Sequence, residues 1–158
     1  MDRAAARTGL LAAVVPGVRA VLEAEPALTD QLAEAVVAAH ARWPQAGPPA
    51  GGFLAYLAER MAAQVDLAAV LPRLRVDDLY LAWWAGRGEP GAITAFEQQY
   101  AADLDRIAAR FRRVSGGADE LRQELRVKLF VAGARPPRIQ DYSGFGFLQN
   151  WLRVTAAR

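Results

Sequence analysis

Cysteine is absent from this 158-residue chain, and histidine occurs once, at His40. The first absence excludes disulfide scaffolds, thiolate zinc sites and thiol nucleophiles. The second excludes a metal centre built from several imidazoles and leaves any Ser-His-Asp arrangement to be assembled on one residue. His40 lies in the helical run "EAVVAAHARW", with neither serine nor cysteine beside it, and reads as an ordinary helix-surface histidine. Long apolar runs are missing too. "LLAAVVPGV" is too short to cross a bilayer and contains Pro16. Arg3 and Arg7 precede it as in a secretory leader, but no convincing cleavage site follows, so an Ala-rich helix and a cytoplasmic location are expected. Strand signals are scarce, internal repeats are not evident, and no phosphate-cradling motif is found. Asp103 and Asp105 lie on an Arg-rich helix and read as solvated ion-pair partners. With no catalytic, cofactor-binding or metal-ligating constellation, a protein that is not an enzyme and needs no cofactor is expected.

What the chain does have is apolar surface and arginine. Hydrophobic residues make up 53% and charged residues 23%, enough to bury a core. The net charge of +2 is too small to argue for a nucleic-acid partner, but it is unevenly spread. From Arg106 onwards arginines recur to the end, against only Asp119, Glu120, Glu124 and Asp141. The C-terminal third is therefore basic, with an acidic island on one helix.

Abundant alanine and apolar residues at helical spacing predict an all-α fold, a helical bundle with an N-terminal helical extension. A first part, residues 1–75, holds a helix starting near Thr29 or Asp30 and running towards Trp43, a break at "PQAGPPAGG", and a helix carrying Leu54, Leu57 and Met61 on one face. Pro72 interrupts a short helix, and a soft boundary is placed there. In the second part, 76–158, Asp77 and Asp78 suit a helix start, and that helix ends at Gly86 or Gly88. From Pro90, the residues Ile93, Phe96, Tyr100, Leu104, Ile107 and Phe111 form one continuous apolar stripe, ended by "VSGG". A helix from Asp119 to about Val131, an irregular loop over 132–146 and a helix from Phe147 to Arg158 complete the reading.

The Asp119 helix has two faces. Leu121, Leu125 and Leu129 form a core stripe, while Glu120, Gln123, Val127 and Phe130 lie roughly opposite, with Glu124 at their edge. The second face is either a docking surface for a partner rich in arginine and apolar groups, or a solvated face with Phe130 folded under the next loop; the helix alone favours the latter. In the loop, Ile139, Tyr142, Phe145 and Phe147 lie close in sequence to Arg135, Arg138, Gln140 and Ser143. Aromatics beside arginines and small polar groups suit an unstacked base, stacking on a ring and read at its edge. The plainer reading is a loop whose aromatics plug the bundle. On the last helix Leu148, Trp151, Leu152 and Thr155 share the core face, and Gln149, Asn150 and Arg153 share another that can meet phosphates or base edges.

Three segments together resemble region 2 of the extracytoplasmic-function sigma factors of bacterial RNA polymerase. "GEPGAITAFEQQYAADLDRIAARF" is similar to the first helix pair of that region, with Gly88, Phe96 and Tyr100 in place. "ADELRQELRVKLF" resembles the acidic pattern "AEDLVQEVFLRLW", and "YSGFGFLQNWLRVTAAR" resembles the stretch "F-x-G-S-L-x-x-W-L-x-R-I-A". The match spans roughly residues 77–158. The Ala-rich extension and "DLYLAWWAGRGEP" are similar to a myxobacterial subgroup.

The resemblance implies a transcription initiation module that binds core RNA polymerase and melts the promoter −10 element. Glu120, Gln123 and Glu124, with Val127 of the same face, would meet the clamp coiled coil of the β′ subunit. Arg138 to Gly146, including Gln140, Tyr142, Ser143 and Phe145, would capture a flipped base, and Phe147, Gln149, Asn150 and Arg153 would line the single-stranded non-template strand. An anti-sigma factor is a further partner the family allows. The family also carries a helix-turn-helix domain for the −35 element, which has no counterpart before Arg158, and its pattern has Asn where this chain has Arg158. A chain cut short ahead of that domain is expected. The alternative is a helical protein-interaction regulator without DNA binding.

Overall fold

Proline at the first position of a helix sacrifices no hydrogen bond, and three helices of this chain begin on one: Pro16, Pro26 and Pro90. The computed structural model describes residues 1–48, 52–111 and 117–156. Among these the regular structure is ten α-helices and three single 3₁₀ turns, so the fold is all-α. No helix of the described residues is long and apolar enough to cross a membrane. The chain divides into two units: Met1–Tyr80 with Ser143–Gly146, and Leu81–Tyr142 with Phe147–Arg158.

The first unit contains α1 (Arg3–Ala13), α2 (Pro16–Ala24), α3 (Pro26–Arg42), α4 (Phe53–Ala62) and α5 (Leu67–Val70), and the start of α6 (Val76–Ala85). The Asp2 carboxylate caps α1 by accepting from the Ala5 amide at 2.8 Å. The helix packs on α3 and α4. Gly9 makes the second approach possible, because a Cβ there would lie 2.8 Å from Leu54 Cδ1. Leu10, Leu22, Val36, Phe53, Leu57 and Met61 are fully buried in this unit.

Two expectations are corrected here. The third helix starts at Pro26, and Thr29 is not its cap but a buried residue inside it. The Thr29 hydroxyl donates to the Leu22 carbonyl at 2.7 Å, so its polar group serves the preceding helix end. His40 is half-buried rather than an open surface group. Its Nδ1 lies 3.2 Å from the Tyr80 hydroxyl, which itself donates to the Gly47 carbonyl at 2.9 Å. A hydroxyl that has given its proton away can only accept from the imidazole, so Nδ1 is the donor in this pair.

Residues 143–146 join this unit through backbone hydrogen bonds. The Arg75 amide donates to the Gly144 carbonyl at 2.8 Å and the Gly146 amide to the Arg73 carbonyl at 3.0 Å, setting Leu74 and Phe145 opposite each other in one antiparallel bridge. Gly144 has φ +88°, and a Cβ there would stand 3.0 Å from Leu79 Cδ2. Only glycine meets both conditions.

The second unit contains the end of α6, then α7 (Pro90–Gln99), α8 (Ala101–Phe111), α9 (Ala118–Phe130), a 3₁₀ turn (Arg138–Asp141) and α10 (Leu148–Ala156). The stripe expected on one long helix is divided between α7 and α8. Tyr100, at φ −110° and ψ 18°, leaves helical geometry, yet its carbonyl still accepts from the amides of Asp103 and Leu104 at 3.0 and 2.9 Å. Phe96, Tyr100 and Ile107 stay buried, so the stripe survives the break. The helix α8 packs on α7, α9 and α10, and α9 packs on the 3₁₀ turn. Of "VSGG", only Gly117 lies within the described residues, as does no part of Arg158.

Candidate partner and nucleic-acid surfaces

The helix α9 is divided as its periodicity predicts. Leu121, Leu125 and Leu129 are buried, and Glu120, Gln123, Glu124 and Val127 are exposed. Phe130 departs from the outward face: it is 5% exposed and meets Phe96 edge to face with 5.1 Å between ring centroids. The aromatic end of the supposed docking face is thus core, and Val127, 48% exposed, is its one large apolar group.

The arginines of α9 all have acidic partners. Arg122 pairs with Asp105 and lies 3.7 Å from Asp119, and Arg126 pairs with Glu97 at 3.2 Å. No ion pair engages Glu120 or Glu124 among the described residues. The arginines are therefore turned to neighbours in the same unit, and the two free carboxylates stay in solvent. A groove of about 470 Å³ on the same helix is lined by Ile93, Gln123, Val127, Phe130 and Pro137, with Arg87 and Arg126 also in its walls. The exposed carboxylates of Glu120 and Glu124, with Val127 between turns, suit a basic, amphipathic partner helix.

The loop residues fall into three states. Tyr142 is 2% exposed, with its ring against Trp151, and Ile139 is fully buried. Gln140 donates its amide to the Gly86 carbonyl at 2.8 Å, and a Cβ on Gly86 would collide with it. These side chains are engaged within their own unit, the Tyr142 ring by burial and the Gln140 amide by its hydrogen bond. Arg138 is half-exposed and 3.8 Å from Asp141. Ser143 and Phe145, in the first unit, are half-exposed, and the Phe145 amide lies 3.4 Å from Ser143 Oγ. Phe147 is 54% exposed.

On α10, Leu148, Leu152 and Thr155 are buried and Trp151 is half-buried, as the apolar face requires. Asn150 is exposed. Gln149 is tied inward, and Arg153 is anchored on one side while staying exposed. The Gln149 amide donates to both oxygens of Asp103, at 2.7 and 2.8 Å, and Arg153 Nη2 lies 3.3 Å from Asp103 Oδ1. Asp103 is not the solvated acid its arginine-rich helix suggests, since only 9% of its side chain is exposed. Its spacing carries the signal: it lies three residues after Tyr100 and four before Ile107, within the apolar stripe. Asp105, by contrast, is half-exposed on Arg122.

The chain matches no protein-family model, no curated protein and no solved structure.

Proposed function

We propose that this chain is a promoter-recognition module of the sigma-factor type: it docks on core RNA polymerase through α9 and holds the melted −10 strand with groups beside α10. The role is not enzymatic and places the chain in the cytoplasm. One observation carries the reading. Glu120 and Glu124 stand exposed and without ion pairs among the described residues, while every arginine near them on α9 is already neutralised. An unpaired acidic edge on the same helix as the exposed Val127 is complementary to an arginine-bearing coiled coil such as the β′ clamp.

The strand is held by Phe147, Asn150 and Arg153, which are exposed on the second unit. Stacking one base on an exposed ring contributes roughly 1–3 kcal/mol, similar to what unstacking it costs. The chain by itself therefore binds duplex DNA weakly, and melting depends on the polymerase.

Capture of the β′ clamp coiled coil on the immobilised chain tests the proposal. Wild type retains it, and Glu120→Lys with Glu124→Lys abolishes retention. Undiminished capture by that double variant would overturn the assignment of α9.

A second reading, a helical interaction regulator without DNA binding, is favoured by the inward closure of Tyr142 and Gln140. It shares the α9 docking face and is separated by strand binding: it predicts no affinity for any single-stranded DNA.

A further inference from the structure

Asp103 is the most buried carboxylate of the second unit's polar cluster, and it collects more cations than it needs. Arg106 Nη2 lies 3.5 Å and Arg153 Nη2 3.3 Å from the same oxygen, Oδ1, while Gln149 donates to both oxygens. One arginine would neutralise the acid; two leave the cluster one positive charge in excess at Asp103 itself. The nearest acid on α8, Asp105, is turned to Arg122 instead.

The two guanidinium groups are not consumed by these bonds. Their side chains are 65% and 47% exposed. Each guanidinium has five N–H donors. Arg106 uses Nε on the Ala102 carbonyl at 3.1 Å and Nη2 on Asp103, which fixes its plane and leaves donors facing solvent. Arg153 spends one nitrogen on Asp103. The arrangement is two arginines from separate helices, converged and oriented by a buried acid, with an open outer edge. Guanidinium forks match phosphate oxygens in shape as well as charge.

We infer that Arg106 and Arg153 form a phosphate site for a nucleic-acid single strand, with Asp103 as the positioning residue beneath it. The inference rests on the strand-binding part of the proposed function and adds to it a residue, Arg106, from outside the loop and α10. The ligand is a backbone phosphodiester, so the site grips any sequence and selects none.

Salt titration of binding to short oligo(dT) tests it, because each phosphate contact to a single strand contributes about 0.7 to the slope of log K against log salt. Arg106→Gln is expected to make the slope shallower by about 0.7. Arg106→Lys, which keeps a point charge, is expected to retain most of it. Arg110→Gln removes the same charge from the same helix and is expected to change the slope by less than half as much. An unchanged slope in Arg106→Gln, an equal change in Arg110→Gln, or no binding of oligo(dT) by wild type overturns the inference. The proposed function is judged separately, by whether wild type prefers a subset of a randomised single-stranded pool over oligo(dT).

Discussion

Tyr142 and Trp151 meet edge to face, with ring centroids 6.0 Å apart and planes at 63°. The tyrosine is 2% exposed, so the contact belongs to the packing of the second unit rather than to an open pocket. Tyr142→Ala removes a buried ring and is expected to cost about 3–5 kcal/mol in urea unfolding. A loss under about 1 kcal/mol would show that the ring is not the core element described.

Phe147 carries the opposite expectation. With its ring 54% exposed, Phe147→Ala leaves stability within about 0.5 kcal/mol of wild type. It weakens single-strand binding by roughly 1–3 kcal/mol, the worth of one stacked base. Fluorescence anisotropy with a labelled strand reads the second effect and chemical denaturation the first.

Gly144 combines φ +88° with a Cβ position 3.0 Å from Leu79 and 3.2 Å from Leu74. Gly144→Ala therefore meets strain and crowding together and is expected to destabilise by more than about 1 kcal/mol. Thermal unfolding of the variant checks this. An equal or higher midpoint would contradict the geometry of the bridge between Leu74 and Phe145.

The two faces of α9 separate stability from docking. Leu125→Ala opens a cavity in the core and is expected to cost about 2–5 kcal/mol. Glu124→Lys changes an exposed side chain and is expected to stay within about 0.5 kcal/mol of wild type. A strongly destabilised Glu124→Lys variant would mean that its effect on capture reports unfolding, not contact.

The division of α9 was legible because three leucines four residues apart leave no other face to bury. The break at Tyr100 was not. No proline or glycine marks it, the apolar spacing continues through it, and its carbonyl hands the hydrogen-bond ladder from α7 to α8. Pro26 outranked Thr29 as a helix start because the threonine found its partner in the Leu22 carbonyl, seven residues back. Asp103 departs from its sequence pattern for a related reason. Composition counts an aspartate among arginines as solvated, whereas its place in the stripe, with Gln149 and Arg153 one turn apart on α10, draws it inside. The exposed groups of the candidate site, Glu120, Glu124 and Phe147, were easier to find than the closed ones. Whether Tyr142 and Gln140 fold inward depends on partners, Trp151 and the Gly86 carbonyl, that no local pattern announces.

We propose that the chain lets core RNA polymerase open DNA at a −10 element. Permanganate oxidation of unpaired thymines, in a pool of duplexes randomised across that element, measures this directly. With core polymerase and the chain together, a subset of sequences is expected to become reactive, and neither component alone nor the Glu120→Lys, Glu124→Lys variant produces them. Duplexes that stay unreactive while the polymerase is demonstrably bound to the chain would contradict the claim.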